Sequence, residues 1–356
     1  MTRAVRHMTK KANQHYVPQF YFRYFSETGK DICVLNRKTG TTINSASIKG
    51  QASKKYFYGD SDIEDQISKI EGFFSSALSS IRNPFTFENC SYDSYFLILQ
   101  NLMLQKARTV TARQKNKAGE DRLLQLYLEC EITNDQNLDA ETKKAFYEIA
   151  RNVEADPKQY QLMGMTIAIE TAEALTDLFP IIIKNLTFKP FIFSDSPVIF
   201  INPLQKKIRL RGVLGANTPG LIIMYPLGPR HCLMLIDQNS YRIKKLKHNN
   251  LSIRNNADVA KINKLQIHNS ANAVYFSKYK YKNYVYGLWN QEKSRLQPHE
   301  GKVVEAPGFY HTGEPMEGDI LHVYEKQLPL VPRFSFLDYE ETEENEYKFE
   351  RRKEIA

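Results

Sequence analysis

The chain has 356 residues, 42% of them hydrophobic, and carries 49 Lys and Arg against 40 Asp and Glu, a formal net charge of +9. That is enough apolar material for one large domain or two modest ones, while the longest apolar runs, residues 179–183 and 198–201, are far too short to cross a bilayer. No charged-then-apolar leader opens the chain, so a soluble cytoplasmic protein is expected, and Cys33, Cys90, Cys130 and Cys232 lack the Cys-x-x-Cys spacing of a zinc cluster or the density of a disulfide framework.

Taken in chain order, residues 1–12 read as a flexible basic arm. In residues 13–25, Pro18 suits the first turn of a short aromatic-rich helix, with His15 just before it. Residues 31–37 and 42–48 form a β-hairpin around the Lys38-Thr39-Gly40-Thr41 turn. A helix over about 61–82 follows, with Asp60, Ser61 and Asp62 as capping candidates and Ile63, Ile67, Ile70, Phe74, Leu78 and Ile81 as its apolar stripe. Glu71 lies within or beside that stripe, where an ionised carboxylate persists only if it is paired or holds a cation.

A second helical block, about 92–129, carries Asn101, Gln105 and Arg108 on one face among apolar neighbours. Helices over about 140–152 and 157–178 come next, the latter opened by Asp156-Pro157 and expected to be buried and central. From residue 186 to 245 short β-rich runs punctuated by Pro and Gly suggest a mostly antiparallel sheet. A final helix within 255–273 leads to a strand at 273–276, and residues 278–356 read as a loop-rich extension with an acidic tail. The fold class is therefore α+β, central helices packed with a mostly antiparallel sheet, with residues 13–277 as one domain.

The run Asn13-Gln14-His15-Tyr16-Val17-Pro18-Gln19-Phe20 resembles the opening of the bacterial family known as domain of unknown function 4238. Ile70-Glu71, Gln105, Arg108, Phe193-Ser194-Asp195-Ser196-Pro197-Val198 and Tyr225-Pro226-Leu227-Gly228-Pro229 extend the resemblance over most of residues 13–277. Tyr24 departs from it, because the family pattern usually has Asn there. The resemblance implies a common fold and site and supplies no mechanism.

Polar residues in otherwise apolar settings define the candidate site: His15, Gln19, Glu71, Gln105, Arg108 and Asp195 are expected to satisfy one another in one pocket. In the catalytic reading His15 transfers a proton, Glu71 and Asp195 hold Mg or Mn or orient His15, and Arg108 with Arg113, Lys115 and Lys117 binds phosphate. That chemistry fits a nuclease-like phosphodiester hydrolase acting on RNA or DNA, a role suited to bacterial defence. A non-catalytic protein that binds nucleic acid, a small anion or a protein partner through the same pocket stays open. So do a structural ion pair for Glu71 and Arg108 and an Asx-turn for Asp195. His299, His311 and His322 lack metal-ligand spacing, and no Gly-x-Ser-x-Gly elbow or phosphate-binding glycine loop occurs.

Overall fold

The computed structural model describes residues 13–59, 61–208, 212–309 and 314–343. The basic arm, the Asp60 cap, Leu210, His311 and the end of the acidic tail lie outside the described residues. The chain begins with β1 (Asn13–His15), α1 (Gln19–Arg23), β2 (Asp31–Asn36), β3 (Thr42–Ser47) and β4 (Ser53–Lys55). The helices α2 (Ser61–Ser80), α3 (Tyr92–Ala107), α4 (Val110–Asn134), α5 (Ala140–Ala150) and α6 (Pro157–Glu170) follow. Then come β5 (Phe179–Asn185), β6 (Phe193–Ser194), β7 (Ile199–Ile201), β8 (Ile222–Gly228), β9 (His231–Ile236), β10 (Arg242–Ile243) and β11 (Asn250–Ile253). The remainder is α7 (Asn256–Asn269), β12 (Ala273–Phe276), α8 (Lys282–Glu292), β13 (Gly301–Phe309), β14 (Pro315–Glu325) and β15 (Leu337–Asp338).

Side-chain caps set several helix starts: Ser91, Thr109, Asp139, Asp156 and Asn255 each accept a backbone N–H of the first turn that has no partner within the helix. Thr109 is the informative one. The block expected as one helix over 92–129 breaks there into α3 and α4. The break frees backbone carbonyls, and side chains take them up: Tyr58 Oη donates to the Arg108 carbonyl at 3.0 Å, and Gln161 Nε2 to those of Ala107 and Thr109 at 3.2 and 3.1 Å.

Two sheets form the centre. One has the order β11-β5-β9-β8-β7 and is antiparallel except for the β11–β5 pair; the other has the order β3-β2-β12-β6 and is antiparallel throughout. The period of two along each strand divides the interior. Ile182, Ile223, Tyr225, Leu233, Leu235, Val34 and Tyr275 face a core shared with α1, α2 and α3. Ile181, Ile183, Ile222, Met224, Cys232 and Met234 face a second core with α7, closed by Leu328, Phe334, Phe336 and Tyr339. Cys33, Leu35, Val274 and Phe276 face a third, with Val285, Leu288 and Trp289 of α8.

The α+β class and mostly antiparallel sheet are as expected, but the extension is not loop-rich. It holds a helix and a two-stranded hairpin, and its aromatic residues complete two of the three cores. Trp289 donates from Nε1 to the Arg37 carbonyl at 2.7 Å and packs on Gly40, whose φ of +73° and lack of a side chain leave room for the indole. Its Tyr, Lys and Pro content hid this packing, since the segment fills grooves made elsewhere and shows no period of its own. The helix expected over 157–178 ends at Glu170 and is not buried, because Met163 and Ile167 point to solvent while Gln161, Met165 and Ala168 face inward. Of the four cysteines, Cys33 and Cys232 are buried, Cys90 is half-buried and Cys130 is exposed.

Candidate functional site

The opening run is above all a fastener. Gln14 is fully buried; its amide oxygen accepts the Tyr58 N–H at 2.6 Å and its amide nitrogen donates to the Gly59 carbonyl at 3.2 Å, so it serves as a strand partner for a turn. Tyr21 stacks on Tyr225 with ring centres 4.6 Å apart and donates to the Pro226 carbonyl at 2.6 Å. Phe22 meets Phe193 and Tyr275 edge-on, and Phe25 lies 4.5 Å from Phe193. The short helix α1 therefore joins β6, β8 and β12, strands from both sheets, through aromatic pairs that add to their area burial.

Four predicted site residues meet beside it. Arg108, only 2% exposed, donates from Nη2 to the His15 carbonyl at 2.5 Å and to Glu71 Oε1 at 2.7 Å, and its Nε lies 3.4 Å from Tyr58 Oη. Burial opposes its charge, but Tyr58 and Glu71 overcome that and hold the guanidinium pKa above its ordinary value. His15 Nε2 is 3.1 Å from the Lys49 carbonyl and 3.4 Å from Gln19 Nε2. Burial lowers the His15 pKa, so the ring is neutral at pH 7. Gln105 joins through the next residue, donating to the Tyr16 carbonyl at 2.9 Å.

Asp195 is used differently. Its carboxylate accepts the backbone N–H groups of Ala271, Asn272 and Ala273 at 2.8, 2.8 and 3.3 Å, with the Asn272 amide at 3.2 Å. It thus caps the turn between α7 and β12, and among the described residues none of its bonds reaches His15, Glu71 or Arg108. Burial pushes its pKa up to about 6 against those donors. Glu71 is held by Arg108 and Asp195 by a backbone loop. Among the described residues no group of three or more His, Cys, Asp or Glu side chains is placed to hold a metal.

The basic flank also separates. Residues two apart on a helix point about 200° from each other and residues four apart about 40°, so Lys115 leaves α4 opposite to Arg113 and Lys117, which share a side and differ in their partners. Arg113 donates to Gln161 at 2.9 Å and to the Phe57 carbonyl at 2.8 Å and lies over the Phe57 ring. Lys117, half exposed, pairs with Asp121 and Glu154 at 2.9 Å each. Of the three, Lys115 lines a cavity.

Lys115 leads to a constellation that sequence reasoning missed. A cavity of about 220 Å³ is lined by Gln105, Lys106, Thr109, Thr111, Ser196 and Asn269, among others, with Glu325 at its wall. The Lys106 and Lys115 ammonium groups each lie 2.5 Å from a different Glu325 carboxylate oxygen. Burial works against that carboxyl's charge, and the two lysines outweigh it and hold it well below the usual carboxylate range. A hydroxyl chain runs along the wall, Thr109 to Thr111 at 2.9 Å and Thr111 to Ser196 at 2.6 Å. Asn269 donates to the Ser196 carbonyl at 2.6 Å and lies 3.5 Å from Lys115 Nζ. Gln105 Oε1 is buried with no partner among the described residues.

The first turn of α4, capped by Thr109, contributes Thr111 and Ala112 to the same wall. A helix start, two ammonium groups and three hydroxyls make a surface suited to oxyanions. Of this lining, sequence reasoning names Gln105 and Lys115 as candidates and Ser196 within the family resemblance, and misses Lys106, Thr109, Thr111, Asn269 and Glu325.

By fold this is an α+β protein whose candidate site is a polar cavity at a helix–helix break, flanked by an arginine–glutamate cluster. The chain belongs to the family described as "Protein of unknown function (DUF4238)", whose model matches residues 13–280. No curated protein and no solved structure matches it. Among the described residues no helix is long and apolar enough to cross a membrane.

Proposed function

We propose that this protein binds a phosphate group, free or terminal on a small molecule or oligonucleotide, in the cavity between α3, α4 and the Ser196 turn. One observation carries the reading: Lys106 and Lys115 converge on a single carboxylate at 2.5 Å each, beside a chain of three hydroxyls. A tetrahedral oxyanion offers more acceptor positions than a carboxylate and would engage the same donors. The volume, about 220 Å³, suits a phosphate with a small organic group rather than a nucleotide base in full contact. The test is calorimetric titration of the full chain with inorganic phosphate and with a 5′-phosphorylated oligonucleotide beside its unphosphorylated twin. Binding that needs the phosphate and weakens about tenfold in Lys115→Ala supports the site; equal binding of the twins overturns it.

A nuclease-like hydrolase at the His15 cluster is the second reading, and the neutral, partly exposed His15 ring beside Glu71 is what favours it, since a neutral imidazole can accept a proton at pH 7. Incubation with labelled RNA and DNA, with Mg, Mn or chelator, tests it. Cleavage abolished in His15→Ala supports a general base there; cleavage unchanged in that variant removes it.

A further inference from the structure

We propose that Glu325 is an intramolecular occupant of the phosphate cavity: the β13–β14 hairpin delivers its carboxylate onto Lys106 and Lys115, and a ligand enters by displacing it. The inference rests on the phosphate-binding reading above and adds how the site is regulated.

Three observations converge on it. The lysines and the hydroxyl wall all lie within the family match at 13–280, whereas Glu325 lies beyond it, in the segment that follows. The site and its stopper therefore belong to different parts of the chain. Second, the contact has the form of a ligand contact: one carboxylate, two oxygens, one lysine from the end of α3 and one from α4. With Glu325 in place one positive charge remains between the pair; with it withdrawn two do, and the attraction for a dianion rises.

Third, the hairpin is attached in a way that lets it lift. Among the described residues of 301–325 none belongs to any of the three cores, although the chain before it (Leu288, Trp289) and after it (Leu328, Phe334, Phe336) does. Its support is α4: Glu305 pairs with Arg122 at 2.6 Å, Gly301 packs on the Lys115 backbone and Val323 packs on Gly119. A two-stranded ribbon without a core of its own is marginally stable, so its contacts with α4 and the lysines are what hold it down. Both ends stay anchored if those contacts open.

The experiment titrates inorganic phosphate into three full-length proteins: wild type, Glu325→Gln, and a Gly119→Cys/Val323→Cys pair. A Cβ at Gly119 would stand 3.5 Å from the Val323 Cβ, within the span of a disulfide, so oxidation clamps the hairpin to α4. Removing one charge-assisted competitor should raise phosphate affinity about tenfold or more in Glu325→Gln. The oxidised pair should bind more weakly than the same protein after reduction. Equal affinity of wild type and Glu325→Gln, with no effect of reduction on the clamped pair, overturns the occupant while leaving the phosphate site standing. Absence of phosphate binding in every form, reduced and oxidised, overturns the site and the occupant together. Should Glu325→Gln fail to fold, the redox comparison in the clamped pair decides alone, binding that rises on reduction supporting the occupant and binding that does not overturning it.

Discussion

Two clusters of cation and glutamate flank the break between α3 and α4, and they use the same charges in opposite ways. Arg108 is buried and spends its contacts on the chain itself, on the His15 carbonyl, Glu71 and Tyr58. Lys106 and Lys115 line a cavity and spend theirs on a carboxylate brought from 219 and 210 residues away in the chain. A guanidinium locked by a backbone carbonyl, a carboxylate and a phenol is a strut, whereas ammonium groups that meet over an open volume beside hydroxyls can exchange one anion for another. Burial of a charge therefore does not distinguish structure from function here. What distinguishes them is whether the partner is part of the wall or could be replaced.

The sharpest way to break that contrast is Arg108→Met. It leaves Glu71 and the His15 carbonyl without their donor in a part-buried setting, and such losses cost about 3–5 kcal/mol. Urea unfolding should show that loss, while phosphate affinity of the still-folded fraction stays near wild type. A variant that unfolds at the wild-type midpoint would return Arg108 to the list of functional candidates.

Asp195 and Glu325 extend the comparison to two buried carboxylates. Burial raises Asp195 to about 6 against donors that, among the described residues, are backbone N–H groups and an amide; two lysines lower Glu325. The signs follow. An acid whose folded pKa exceeds its unfolded value binds more protons when folded, so its contribution is complete below about 3.8 and is lost as pH rises through about 6. Glu325 works in reverse: its contribution is present above the ordinary glutamate range and is lost only as pH falls toward its lowered folded value. Unfolding free energy measured between pH 4 and 6 should carry a negative slope from Asp195 of at most about 1.4 kcal/mol per pH unit. Asp195→Asn should lack that component whatever its absolute stability. An unchanged slope would mean the N–H donors prevail over burial.

Much of the frame was readable before any coordinates. The α2 stripe predicts its buried face, since Ile67, Phe74, Leu78 and Ile81 are all interior, and the hairpin around Gly40 falls where its turn residues place it. The convergence of His15, Gln19, Glu71 and Arg108 was also legible, because buried polar groups must find partners and the chain offers few. Asp195 was not. Its oxygens bond to a turn more than seventy residues away, a relation with no trace in local pattern. Most of the polar cavity between α3 and α4 was hidden for the same reason. Lys106 reads as an ordinary exposed lysine on a helix, and Glu325 falls in a segment with no periodicity, so only the tertiary fold brings them together. Runs of basic residues misled in a more specific way: Arg113, Lys115 and Lys117 look like one patch in sequence, while the helical turn sends Lys115 to the side opposite the other two, and Arg113 and Lys117 find separate partners.

Lys115→Ala sharpens the comparison at the level of ligand. It removes one of two ammonium groups, so phosphate affinity should fall about tenfold, roughly 1.4 kcal/mol. Glu325 retains Lys106, and thermal stability should move far less than in Arg108→Met. A loss of stability as large as that variant's, with binding intact, would make Lys115 a strut as well and dissolve the distinction.

The smallest effect belongs to Lys117→Ala, and its smallness is the point. Lys117 lies about two helical turns beyond the break and bears the same charge as Lys115, but it is half exposed and pairs with Asp121 and Glu154 at the surface. Exposed pairs of this kind are worth about 0–1 kcal/mol, and salt screens them. Lys117→Ala should leave the unfolding midpoint and phosphate affinity both near wild type. If it weakened phosphate binding as much as Lys115→Ala does, ligand attraction would depend on the summed field of the basic face, and the inward turn of Lys115 would cease to be the feature that matters.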